Sequence, residues 1–77
     1  MPHINIKHFP PELTDQQKDQ LAAELTELVA RRLATYPDAI SIALEAVPAQ
    51  DWQSTVYEPE IEARSALLIK SPNYRAE

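Results

Sequence analysis

No glycine occurs anywhere in this 77-residue chain, while proline occurs seven times. Glycine is the residue that fills left-handed and close-approach backbone positions. Its absence removes phosphate-cradling loops and the G-x-G-x-x-G dinucleotide turn, which depend on such positions. Cysteine is absent too, so there is no disulfide framework, thiolate metal site or thiol nucleophile. The length fits one small domain over residues 1–77, held together without the usual staples. A chain this short buries only about 60% of its unfolded surface on folding. Association with further copies is the remaining simple way to bury more apolar surface.

Seven Lys plus Arg against twelve Asp plus Glu give a net charge of −5. Neutralising nucleic-acid phosphates requires the opposite sign, and Arg31-Arg32 is the only basic doublet. No nucleic-acid partner is expected. The longest apolar run, Ala66-Leu67-Leu68-Ile69, is far too short for a membrane span or a signal-peptide core. The expectation is a cytoplasmic protein with no membrane partner. His3 and His8 are the only histidines, which leaves no His-rich metal site.

Residues 3–9 alternate apolar and polar side chains, with Ile4 and Ile6 on one face, the period of a half-buried strand. Pro10-Pro11 stops it. Thr14-Asp15-Gln16-Gln17 then has the form of a capping box. Leu21, Leu25, Leu28 and Arg32 follow at helical spacing, widened by Ala22, Val29 and Leu33. Acids early and Arg31-Arg32 late suit the helix dipole, and Tyr36-Pro37 ends the pattern.

Residues 40–47 form a second alternating segment, with Ile40, Ile42 and Leu44 on one face and Ser41, Ala43 and Glu45 on the other. Two strands joined by a long helix make a β-α-β unit with parallel strands. Residues 52–57 read as a short strand or an irregular segment. Glu58-Pro59 reads as the start of a second helix, with proline at its first position, ending before Ser71-Pro72. Ile61, Ser65 and Leu68 would share one face of it. The fold class is therefore α/β in the α+β sense, with one long helix and a second, C-terminal helix. One helix covers one sheet face and leaves the other face and the strand edges open. Pairing two copies would close them, so a homo-oligomer is expected.

Candidates for chemistry are few. Glu58, Glu60 and Glu62 alternate, and since i and i+2 point apart on a helix they read as a solvated helix start. His3 and Lys7 read as surface or interface residues, and Trp52, the only Trp, as core or interface. Pro2 differs in kind. An initiator methionine is commonly removed ahead of proline, leaving a secondary amine at the chain terminus. An α-amino group titrates near ~8. An apolar wall disfavours its charged form and so favours a free base at neutral pH.

The stretches MPHINIKHFP, LTDQQKDQLAAELTELV, ISIALEAVPAQDWQ, VYEPEIE and LLIKSPNY together cover nearly the whole chain. The sequence resembles the tautomerase superfamily of 4-oxalocrotonate tautomerase-like proteins. Its closer likeness is to the branch of small phenylpyruvate-type enol tautomerases, the PptA type. The resemblance implies a cofactor-free keto–enol tautomerase of small 2-oxo acids or their enols, with Pro2 as general base. It implies that Trp52 walls the apolar pocket and helps keep the prolyl nitrogen basic. Ser41 stands where oxalocrotonate-type members carry a carboxylate-binding arginine, and Pro11-Glu12-Leu13 stands where the other family arginine belongs.

Both arginines are thus absent, and Glu12 would repel a dicarboxylate. A monocarboxylate with an aromatic or apolar body suits the site better. Its carboxylate would take donors from Ser41, backbone N–H groups, Lys7, Arg64, Lys70 or Arg75. A second helix in place of a glycine-containing hairpin favours a homodimer over a hexamer. Two other readings stand beside this one. In the first, a hydratase or dehalogenase keeps Pro2 protonated and uses Glu12 or Glu45 to activate water. The second is a non-catalytic oligomeric binding module.

Overall fold

The computed structural model describes residues 1–74. The chain divides into two compact units, Met1–Ala46 and a second that begins at Val47. The first unit is a β-α-β arrangement. Strand β1 spans His3–His8, helix α1 spans Asp15–Arg32, and strand β2 spans Ser41–Ala46. The strands pair in parallel, starting from His3 opposite Ser41 and ending with His8 opposite Ala46. This register sets Ile4 beside Ile42 and Ile6 beside Leu44 on one half-buried face. Along β2, Ser41, Ala43 and Glu45 occupy the exposed face, as alternation requires. Leu21 and Ala22 of α1 share a cleft with Ile42 and Leu44, so the helix lies against the aliphatic face.

Helix α1 begins where its cap dictates. The backbone N–H of Gln17 donates to Thr14 Oγ1 at 3.1 Å, and the N–H of Thr14 donates to Gln17 Oε1 at 2.9 Å. Two otherwise orphaned donors are thereby satisfied at once. The other end shows what the lack of glycine entails. Ala34 takes a left-handed backbone, φ 52°, at the position after the C-cap where glycine is the usual choice. The turn still forms, with the N–H of Thr35 donating to the carbonyl of Ala30 at 3.0 Å. A short 3₁₀ turn, Pro37–Ala39, then leads into β2.

The second unit corrects the expectation for residues 52–57. They are helical. A helical turn, α2, covers Ala49–Trp52 and runs straight into a π-helical segment, Gln53–Glu62. The second helix thus opens directly after Pro48, not at Pro59, which lies inside it. Pro59 has no N–H to donate, and the i→i+5 winding carries the chain past it. The N–H of Ala63 closes this pattern on the carbonyl of Glu58 at 3.0 Å. Nor does the helix continue to Ser71. It ends at Glu62, and a 3₁₀ turn follows at Ser65–Leu67.

The buried apolar residues among those described are Ala39, Val47 and Val56, and none of them is completely shielded from solvent. Each unit therefore owes its packing to half-buried faces more than to a deep core. Leu33, Leu67 and Ile69 stand exposed. None of the described helices is long and apolar enough to cross a membrane.

Candidate active site

Pro2 precedes β1 by one residue and is half-buried. Its carbonyl accepts the backbone N–H of Ser41 at 3.2 Å, which extends the parallel ladder to the proline itself. Ser41 also engages the next residue. Its Oγ shares a hydrogen bond of 2.6 Å with Nδ1 of His3. The structure thus brings Pro2 and Ser41 together and adds His3 to them. His3 is exposed, as expected of a surface or interface residue, and its bond to Ser41 follows from the register that sets the two opposite each other. The second histidine is occupied locally, its Nδ1–H donating to the carbonyl of Phe9 at 2.8 Å.

Trp52 belongs to the second unit, half-buried at the end of α2. Its Nε1–H donates to the hydroxyl of Tyr74 at 3.0 Å. The Tyr74 ring in turn meets Tyr57, with centroids 5.9 Å apart and planes tilted by 54°. An offset or tilted approach is the favourable one for aromatic pairs. Tyr57 and Tyr74 also line a cavity of about 280 Å³ with Ile61, Ser65 and Leu68. The predicted grouping of Ile61, Ser65 and Leu68 therefore holds, reached through a 3₁₀ turn and not through one continuous helix. Through these contacts Tyr74, the last described residue, is held to Trp52 and Tyr57.

The other proposed donors are dispersed. Arg64 and Lys70 are exposed in the second unit, and Arg75 lies outside the described residues. Lys7 faces Glu45 across the ladder. Glu12 pairs with Lys18, Nζ to Oε1 3.3 Å, which offsets the repulsion expected of it. Among the described residues no three His, Asp or Glu side chains gather as metal ligands.

A parallel β-α-β unit whose ladder reaches a proline at the second position is the layout of tautomerases. The family model described as "Tautomerase enzyme" matches residues 2–56, and the chain belongs to that family. It is an enzyme of the isomerase class. Its relatives include proteins named Tautomerase PptA. The one from Klebsiella pneumoniae is 49% identical over 74 residues, covering 96% of this chain and 97% of the relative. The Shigella sonnei and Escherichia coli proteins of that name are 46% and 45% identical over the same spans.

Proposed function

We propose that this tautomerase interconverts the enol and keto forms of a small 2-oxo acid of the phenylpyruvate type. The base is the nitrogen of Pro2, freed when Met1 is removed during synthesis in the cytoplasm. The observation that carries the reading is the bond from the Ser41 N–H to the Pro2 carbonyl, which ties the proline to a paired strand. A base must be held within reach of one proton, and an untethered chain end cannot do that.

In the ketonising direction the Pro2 nitrogen takes the enol hydroxyl proton. The O–H electron pair becomes the second C=O bond, and the C=C pair takes a proton at carbon from the prolinium. The base is regenerated, no cofactor enters, and atoms and charge balance. Trp52 supplies apolar wall for an aryl body in this reading, and a monocarboxylate is the substrate class. A dicarboxylate would need the cationic clamp that Ser41 and the Pro11-Glu12-Leu13 stretch do not provide.

The hydratase alternative is weaker on geometry. Within one chain Glu45 stands four rungs along the ladder from Ser41. At ~3.3 Å per residue it lies about 13 Å from the Pro2 end. Glu12 is engaged by Lys18. The working unit is proposed to be a homodimer, because β1 and β2 form a sheet of two strands with an outer edge on each.

Ketonisation of phenylpyruvate enol by protein of verified intact mass tests the reading. The Met1-free protein should accelerate it, and Pro2→Ala should lose at least ~100-fold, the low end of the usual contribution of a positioned base. No rate above buffer in the native protein sinks the tautomerase substrate class. Equal rates in the variant sink the role of Pro2.

A further inference from the structure

We propose that Ser41 and His3 act as a positioning pair that fixes the Pro2 nitrogen for proton transfer. This rests on the reading of Pro2 as the base. Once Met1 is gone, Pro2 is the chain end, just ahead of β1, and chain ends fray unless they are tied down. One ladder bond, Ser41 N–H to Pro2 C=O at 3.2 Å, is a long and weak tie by itself. The second tie is the side-chain bond of 2.6 Å between Ser41 Oγ and His3 Nδ1. The same serine thus grips the Pro2–His3 unit at two points on either side of one peptide bond. Neither point uses the proline nitrogen, which stays available for chemistry.

The arrangement also survives a change of charge on the imidazole. With Nδ1 unprotonated, the serine hydroxyl donates to it; with Nδ1 protonated, the ring N–H donates to Oγ. The tie therefore holds in either protonation state of His3. The Ser41 oxygen is thereby engaged with the protein's own N-terminus, a role distinct from the substrate-carboxylate contact that the family position suggested. Positioning and binding leave different kinetic marks. A residue that orients the base changes kcat, whereas a ground-state contact to substrate changes KM.

Four variants read by two measurements test the pair. Kinetics on phenylpyruvate enol and amide hydrogen exchange at Ser41 are followed in Ser41→Ala, His3→Ala, the double variant and Ser41→Thr. Ser41→Ala and His3→Ala should each lower kcat about tenfold with KM within about twofold, since losing one useful hydrogen bond is an effect of that order. The double variant should be no slower than either single one, because both remove the same bond. Ser41→Thr keeps the hydroxyl and should restore kcat. In His3→Ala the Ser41 N–H should exchange about tenfold faster at an unchanged melting temperature, a sign of local fraying.

A raised KM with kcat intact overturns the pair in favour of substrate binding. Additive losses in the double variant, or kcat unchanged in both single variants, overturn it as well. Pro2→Ala separates the two levels of the claim. Full activity there removes the base reading, and the positioning claim with it, whatever the Ser41 exchange shows. Lost activity there alongside full activity in His3→Ala removes the positioning claim alone.

Discussion

The indole N–H of Trp52 donates to the hydroxyl of Tyr74, 22 residues further along the chain, at 3.0 Å. This bond links the end of α2 to the end of the described chain, and the Tyr74 ring adds a tilted contact with Tyr57. Tyr74→Phe keeps the ring and removes the acceptor. It should reduce stability by about 0.5–1 kcal/mol, the range for one partly solvated hydrogen bond. Trp52 is the only tryptophan, so its fluorescence reports on this bond directly. A changed emission maximum in Tyr74→Phe is expected, and an unchanged spectrum would show that the bond does not persist in solution.

Ala34 offers a second test. A left-handed conformation is unfavourable for any residue with a Cβ by roughly 1–2 kcal/mol. Ala34→Gly removes that strain but loosens the unfolded chain, which takes back roughly 0.4–1 kcal/mol. The net expectation is a gain of about 0.5–1 kcal/mol, or a few degrees in Tm. A lower Tm in calorimetry would contradict the left-handed assignment at φ 52°.

The cap of α1 should behave in the opposite sense. Thr14→Ala deletes the acceptor for the Gln17 N–H and should destabilise the protein by about 1 kcal/mol. Thr14→Ser keeps the oxygen and should be close to neutral. Denaturant unfolding of the two variants side by side separates loss of the cap from loss of side-chain volume.

The proton-transfer reading has a pH signature. If the free Pro2 nitrogen is the base, protonating it stops the reaction. On the acid limb the rate should then fall by roughly tenfold per pH unit. Protein that retains Met1 has an amide at that position and should show no such limb and no rate above buffer. Intact mass and a pH–rate profile on the same sample decide it.

Assembly is testable without activity. A homodimer that holds the folded state raises its melting temperature with protein concentration, while a monomer does not. Tm should climb across a hundredfold range of concentration, and sedimentation should show a dimer over the same range. A concentration-independent Tm contradicts the proposed assembly.

Much of the first unit could be read from the chain, because its elements follow the two simple periods. Ile4 and Ile6, then Ile42 and Leu44, alternate as strands do, and Thr14 with Gln17 announces the helix start. The second unit resisted for a physical reason. A π-helical segment repeats with neither the strand nor the α-helix period, and Thr55, Val56 and Tyr57 are residue types enriched in strands. Pro59, read as a helix start, proved to be internal. In the site, Pro2 and Ser41 were legible singly. Their link, and the part of His3 in it, depends on strand register, which alternation alone does not fix.

Only Ala39, Val47 and Val56 are buried among the described residues, a thin core for one copy of a chain to hold itself together with. Folding is a difference between two states, and here the unfolded one is unusually confined. Each proline has its φ already fixed before folding begins, and no glycine is present to widen the random coil. A proline in a compatible position contributes about 0.4–1 kcal/mol by this route alone. Part of what holds this small protein folded is therefore absent from its contacts. It resides in the conformations that the unfolded chain cannot reach.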